Sequence, residues 1–239
     1  MSDPADGHRE TGTVAAKATE PRFLDVGCSG GGSLAWGHAQ FDIEGVGIDI
    51  SEDKVRATLQ KGFRAEVADA TQLRFDDSHF KFALMFDILE HLPDAKTAQR
   101  CVQEAFRVSS DFIIVRGPNF DHENELRNND LKRYYADWSG HTWHHKSDEL
   151  VRILTSLDPK NFMVAGHERI FDSRDPVVLP ISTVTNEGRY DDERHGAKSF
   201  YKTKGRIFSR VVAVAAKSPA VDVYRIAFLA SGARLYGEG

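Results

Sequence analysis

The sequence predicts an α/β fold, a doubly wound and mainly parallel sheet with helices on both faces, and three observations carry that expectation. Short apolar runs alternate with amphipathic stretches from Arg22 to about Ala216, the pattern of buried strands joined by crossover helices. The first run breaks into a glycine cluster, Gly27 to Gly32, as a parallel strand entering a tight turn does. No internal repeat is visible, and 239 residues with 41% hydrophobic content are enough to bury one continuous core.

Residues 1–20 are small and polar, so a flexible segment with at most a short Ala-rich helix is expected before the domain begins at position 21. Arg22 to Val26 is the first strand, and Leu34, Ala35 and Trp36 open the helix after the glycines. Ile43 to Ile50 reads as strand two. Ser51, followed by Glu52 and Asp53, starts a helix with a hydroxyl cap and acidic residues at the positive end of the dipole. Val55 and Leu59, four apart, define its inner face, and Lys61-Gly62 closes it. Phe63 to Ala68 makes strand three and Phe80 to Phe86 strand four. Ala95 to Val108 is a helix that repeats Val102 and Phe106 on one face, and Phe112 to Val115 is strand five. A helix from Ser147 through Leu150, Val151 and Leu154 precedes strands at Phe162 to Val164 and Val211 to Ala216.

The domain is thus expected over residues 21–218, with two insertions at about 117–145 and 172–206. Both are too long for plain connections and are expected as lids or pocket walls. Residues 219–239 read as a C-terminal helix or tail whose stripe of Val223, Ile226, Ala227 and Ala230 is expected in the core rather than in a dimer contact.

A formal charge of -5 and a pI near 6.1 demote nucleic acid as a partner, since gripping phosphate backbones calls for a basic surface. Cys28 and Cys101 lack disulfide or zinc-knuckle spacing, so a reducing, cytoplasmic setting is expected. No run approaches the roughly 20 apolar residues that span a bilayer and no basic-plus-apolar leader opens the chain, so no membrane partner is expected. Composition leaves the oligomeric state open, a homo-oligomer included.

The chemistry concentrates at strand ends. In FLDVGCSGGGSL, Phe23 to Leu34, small residues let the backbone approach a ligand closely and the next helix aims its first N–H groups at an anion. A plain structural turn needs the same residues. Asp49 ends strand two in GVGIDIS, near the distance expected for an acid that accepts from two ribose hydroxyls; its other use, capping the next helix, is better filled by Ser51. Val67-Ala68-Asp69-Ala70 ends strand three, and FKFALMFDILEHLPD, Phe80 to Asp94, runs through strand four.

In order and spacing these segments resemble the class I S-adenosylmethionine-dependent methyltransferases, of the kind that act on small molecules and sugars. Asp25, Gly27 and Gly31 match that family's acidic-x-Gly-x-Gly-x-Gly motif, with Ser29 at its middle glycine. Lys81 stands where an aspartate is frequent, at the strand end remote from the cofactor. The resemblance covers about Arg22 to Val115 and extends weakly to Ala216. It implies a Rossmann-like sheet of about seven strands with an antiparallel last strand, and S-adenosylmethionine as cofactor. It also implies cofactor contacts from Asp25, Gly27, Cys28, Ser29, Gly31, Asp49, Ile50 and Phe86, with Asp69 and Ala70 on the adenine edge. The rival cofactor, a nicotinamide dinucleotide, needs G-x-G-x-x-G, of which Gly27-x-Ser29-x-x-Gly32 is a poor copy.

A sulfonium donor needs an aligned acceptor, and an alcohol acceptor also needs a base. His91, just past strand four, is the first candidate because imidazole titrates near neutral pH. SGHTWHHKSDEL, Ser139 to Leu150, resembles the histidine-bearing stretch of small-molecule and sugar methyltransferases, which implies a role for His141; His144 and His145 have no such support. Asn119, after Gly117-Pro118, and Tyr134, Tyr135 and Trp138 are substrate-binding candidates, with turn formation and inward packing as their other readings.

The expected function is methyl transfer to a small-molecule acceptor, most naturally O-methylation of a sugar or glycan precursor. His91 and His141 are expected to converge near the transferred methyl, one acting as base while Glu90 or Asp87 orients its ring. A second reading is metal-assisted RNA 2′-O-methylation, because Asp87-x-x-Glu90-His91 with His141 resembles the metal-binding set of enzymes that methylate the terminal 2′-hydroxyl of small RNAs. A third is a methyltransferase-like fold kept as a non-catalytic binding protein. Adjacent Glu90 and His91 can hold one ion only where the backbone is irregular, so the expectation is no metal.

Overall fold

The computed structural model describes residue 20 and residues 22–184 and 188–232; the expected flexible segment, up to residue 19, and the last seven positions of the tail lie outside them. In chain order the elements are β1 (Phe23–Val26), α1 (Gly32–Phe41), β2 (Gly45–Asp49), α2 (Glu52–Gln60), β3 (Arg64–Val67) and β4 (Phe80–Phe86). A 3-10 turn (Leu89–His91) leads to α3 (Ala95–Val108), β5 (Ser109–Pro118), α4 (Glu123–Arg127), β6 (Leu131–Arg133) and α5 (Ser147–Thr155). The chain continues through β7 (Asn161–Asp172), β8 (Val178–Pro180), α6 (Asp192–His195), β9 (Lys202–Ala216) and α7 (Val223–Ala230).

Seven strands form one sheet in the order β3-β2-β1-β4-β5-β9-β7. The first five pair in parallel, and β9 lies antiparallel between β5 and β7. The predicted architecture therefore holds, including the antiparallel last strand. Its order reverses at β1, which places a crevice at the carboxyl ends of β1 and β4, where this kind of sheet receives ligands.

Apolar periodicity explains both layers. On one face α3 and α5 bury Val102, Phe106, Leu150 and Leu154, and on the other α1 and α7 bury Leu34, Val223, Ile226, Ala227 and Ala230. The last four are the stripe expected in the core. In β4 every residue except Lys81 is buried, as a central parallel strand requires. Phe23, Phe82 and Phe112, aligned across β1, β4 and β5, stack at 5.0 Å for each neighbouring pair.

Three sequence expectations need correction. The inner face of α2 is Val55 and Thr58, while Leu59 is 49% exposed. Thr58 turns inward because its hydroxyl donates to the carbonyl of Ser29 in the glycine loop at 2.7 Å. Strands β5, β7 and β9 are longer than their apolar runs, with Gly117 and Pro118 inside β5 and a β7–β9 ladder reaching from Asn161↔Ala216 to Asp172↔Lys202. The outer halves of β7 and β9 are partly exposed, and β5 gains Ser109 to Asp111 and Arg116 to Pro118, which are polar, glycine or proline, so hydropathy alone does not mark them. The two insertions also are not separate lids: β6 from the first pairs with β8 from the second. Phe120, Leu126, Leu131, Tyr135, Ile170, Val178 and Ile207 form a third core there, a cap mounted on the far ends of β7 and β9.

Candidate functional site

The glycine loop between β1 and α1 edges the crevice. Asp25 is fully buried, and burial pushes its carboxyl up to about 7. Ser33 Oγ donates to Asp25 Oδ2 at 2.6 Å, while Oδ1 has no partner. Gly27 and Gly31 adopt φ of +74° and +81°, and a Cβ on Gly27 would lie 2.7 Å from Ile88 Cδ1, so both the conformation and the space demand glycine. Gly31 caps α1 and offers no side-chain acceptor of its own to the first N–H groups of the helix.

Asp49 ties this loop to the next helix. It is 7% exposed, and its Oδ2 accepts from the Ser29 N–H at 3.1 Å while Oδ1 accepts from the Ser51 N–H at 3.0 Å. A carboxylate offers about four lone-pair sites, so acceptor capacity remains for two further hydroxyls. Ser51 caps α2 as expected, accepting from the Lys54 N–H. Ile50, the residue after Asp49, is 77% exposed and gives the crevice an apolar ledge for a flat ring.

The other expected cofactor residues divide. Cys28 is buried with its thiol toward Thr58, and burial pushes that thiol up to about 11, so only its main chain faces the loop. Asp69 Oδ1 accepts from the Thr71 N–H and hydroxyl, both at 2.8 Å, bonds that hold its carboxyl below the ordinary range; Ala70 packs half-buried behind it. Phe86 places its ring in the second core, 5.0 Å from Trp36 and with the Arg116 guanidinium 4.0 Å over it.

Asp25 also fixes a pH dependence. Its folded pKa lies above the unfolded value, so its contribution is fully present below pH 3.8 and is lost as pH rises through about 7. Asp25→Asn removes that loss, and at pH 8 the ligand-free variant is expected to unfold about 2–4 °C above the parent, about 1 kcal/mol, with a smaller difference at pH 5. Thermal unfolding across that range checks it; a constant difference would contradict the assignment.

A second cavity, about 440 Å³, opens beyond β4 and β5 among Asp87, Glu90, His91, Trp138, His141 and Arg210, with Tyr134 and Tyr135 in its wall. The 3-10 turn after β4 presents Glu90 and His91, and the loop between β6 and α5 is pinned to it by Trp143 N–H donating to the Glu90 carbonyl at 3.2 Å. His91 Nδ1 lies 2.8 Å from the Gly140 carbonyl and His141 Nδ1 lies 3.0 Å from the Tyr135 carbonyl. A carbonyl can only accept, so each Nδ1 carries a proton, and in the neutral ring the lone pair is on Nε2. The rings sit 5.1 Å apart, and burial lowers His141 to about 4, so it is a neutral base at pH 7.

Glu90 is 2% exposed, its Oε2 has no partner, and burial together with the Asp87 charge pushes it up to about 8. Asp87 takes φ +53°, uncommon for a non-glycine residue, and pairs with Arg210 at 2.6 Å. Glu90, His91 and His141 each place one ligand atom within 4.8 Å of the others. That proximity, and not the 3-10 turn, in which neighbouring side chains point about 120° apart, answers the geometric objection to a shared ion, and oxygen plus imidazole donors suit a divalent cation.

The expected pair His91 and His141 is thus brought together, with Tyr134 and Trp138 beside it. Tyr135 is buried and its hydroxyl is held by the Asn119 and Ser209 carbonyls, so it is wall rather than ligand donor. Asn119 is 2% exposed, and its Oδ1 accepts from the Asp121 N–H at 2.7 Å in a local turn. Two residues were not foreseen. His145 is buried with neither ring nitrogen partnered, and its Nε2 and Glu90 Oε2 would lie 3.7 and 3.4 Å from a Cβ on Gly117. The doublet His144-His145 gives no signal as to which ring points inward. Arg210 precedes an apolar run, and only the pairing of β9 with β5, Pro118↔Arg210, turns it to the cavity.

Residues 24–111 match the family described as a methyltransferase domain. An O-methyltransferase of Penicillium expansum is 32% identical over 115 residues, 45% of this chain and 42% of its own length. The 27-O-demethylrifamycin SV methyltransferase of Amycolatopsis mediterranei is 29% identical over 110 residues, 41% of this chain and 40% of its own. The chain therefore spans about two fifths of each of these relatives. Among solved structures, an S-adenosylmethionine-dependent methyltransferase from Archaeoglobus fulgidus shares the fold with a TM-score of 0.58 at 19% identity, covering 82% of this chain and 86% of that one. Among the described residues no helix is long and apolar enough to cross a membrane.

Proposed function

The chain carries a methyltransferase domain in the class I S-adenosylmethionine-dependent methyltransferase fold, and from that premise we propose that it transfers a methyl group from S-adenosylmethionine to an oxygen of a small molecule. The observation that carries the reading is the histidine pair beside the glycine-loop crevice, each ring with Nδ1–H fixed by a main-chain carbonyl and Nε2 free. S-adenosylmethionine supplies an already activated methyl group.

The residues that would hold it fit its chemistry. The unpartnered Asp25 Oδ1 suits an ammonium group, the uncapped start of α1 a carboxylate, Asp49 a pair of ribose hydroxyls and Ile50 a flat base. Across the cavity, Nε2 of His141 or His91 accepts the acceptor's hydroxyl proton, and Tyr134 and Trp138 form walls suited to the apolar face of a sugar ring. A sugar or glycan precursor is the acceptor class we favour. A volume of about 440 Å³ lies in the range of small-molecule sites, which supports that acceptor over RNA.

One observation favours a second reading of the same site, the Glu90–His91–His141 donor set, in which a divalent ion lowers the acceptor's pKa. The test is transfer of labelled methyl to a panel of sugars, sugar phosphates and phenols, with an RNA arm, before and after exhaustive chelation. A metal-free base gives turnover that chelation leaves unchanged. Loss restored by a divalent ion decides for the metal, and transfer to RNA alone overturns the small-molecule reading.

A further inference from the structure

Behind the acceptor cavity lies a second hollow of about 260 Å³ that the chemistry above does not use. Three adjacent strands build it: β5 contributes Arg116, β9 contributes Ser209 and Arg210, and β7 contributes His167 and Glu168. Arg189 closes it from the loop before α6. Tyr134, Tyr135 and Arg210 line both hollows, so they adjoin through a common wall.

The cations there are poorly matched by anions. Arg210 pairs with Asp87 on the acceptor side, and Glu168 accepts from Ser209 Oγ at 2.7 Å. Arg116 has no carboxylate partner among the described residues: it lies on the Phe86 ring, donates one N–H to the Ala230 carbonyl at 3.1 Å, and keeps a buried Nε with no partner. Arg189, exposed at the rim, makes no ion pair or hydrogen bond among the described residues. His167 Nε2 is likewise buried without a partner. The Asp87 and Glu168 carboxylates favour the Arg116 charge only from beyond ion-pair distance, against a larger cost of burial. Guanidinium forks match the oxygens of phosphates and carboxylates.

Resting on the methyltransferase reading, we propose that Arg116 and Arg189, with Arg210 at the shared wall, form an oxyanion subsite, so that the acceptor is an anionic small molecule bearing a phosphate or carboxylate. The nucleophile sits at His91 and His141 while the anionic group is held one cavity away. This orients the acceptor, because a molecule clamped at one end presents a single oxygen to the histidines.

The experiment is calorimetric titration of the full chain, saturated with S-adenosylhomocysteine, with phenyl phosphate, benzoate and neutral benzyl alcohol. At least one anionic probe is expected to bind about tenfold or more tighter than benzyl alcohol, and to weaken as salt rises. Arg189→Ala and Arg116→Gln are each expected to weaken that probe by about fivefold or more while leaving S-adenosylhomocysteine affinity unchanged. Arg189 is exposed, so its variant serves even where Arg116→Gln fails to fold. The ratio of phenyl phosphate to benzoate tells a phosphate-bearing acceptor from a carboxylate. Equal binding of the neutral probe, no binding of either anion, or an Arg189→Ala variant with undiminished anion affinity overturns the subsite. Failure of S-adenosylhomocysteine itself to bind overturns the methyltransferase reading instead.

Discussion

His141→Ala is expected to lower kcat by about 10²–10⁴-fold with the acceptor identified by the labelled-methyl panel, while S-adenosylhomocysteine affinity stays within about twofold. The argument rests on position and tautomer together. His141 donates Nδ1–H to the Tyr135 carbonyl, half-buried beside Glu90 and His91, and burial keeps its pKa near 4, so at neutral pH its Nε2 is a free base. Both routes to the chemistry, base or ion, need that nitrogen. His91→Ala is expected to act in the same direction, and the double variant to lose less than the product of the two, because the rings serve one site. Near-parental turnover in both single variants would leave alignment as the only source of rate.

Asp49→Ala gives the largest effect on the cofactor side. Its carboxylate holds the Ser29 and Ser51 N–H groups and offers its remaining lone pairs to the crevice, so its removal both loosens the glycine loop and deletes the ribose acceptor. Affinity for S-adenosylhomocysteine is expected to fall by tenfold or more, about 1.4 kcal/mol or above, with a cooperative unfolding transition retained. Asp49→Asn retains an acceptor oxygen and is expected to lose less. Calorimetry showing unchanged affinity in Asp49→Ala contradicts the ribose assignment.

Where local chemistry determines structure, the sequence is readable. The ends of β4 and α3 fall where apolar periodicity places them, α5 starts at Ser147 as read, and Gly27 and Gly31 of the loop adopt the positive φ open to glycine. Properties set by distant partners are not. Thr58 displaces Leu59 from the inner face of α2 because a carbonyl 29 positions away needs a donor. The Asn119 amide oxygen is engaged by the Asp121 N–H of its own turn, and the Phe86 ring packs against Trp36 and Arg116, partners that sequence spacing does not show. The cap escapes notice because its core joins residues from Phe120 to Ile207, and Arg116 and Arg210 become neighbours only once β9 pairs with β5. His91 and His141 were legible as candidates, yet their shared Nδ1–carbonyl geometry belongs to the folded loop alone.

The central claim, that the glycine-loop crevice takes S-adenosylmethionine, is tested most directly by thermal unfolding with S-adenosylhomocysteine and with NAD, each at about 100-fold its dissociation constant or, where none is measurable, at the same concentration. S-adenosylhomocysteine is expected to stabilise the fold by about 2.7 kcal/mol, roughly 5–10 °C in Tm for a chain of this size, with no shift from NAD. A shift with NAD and none with S-adenosylhomocysteine contradicts the account.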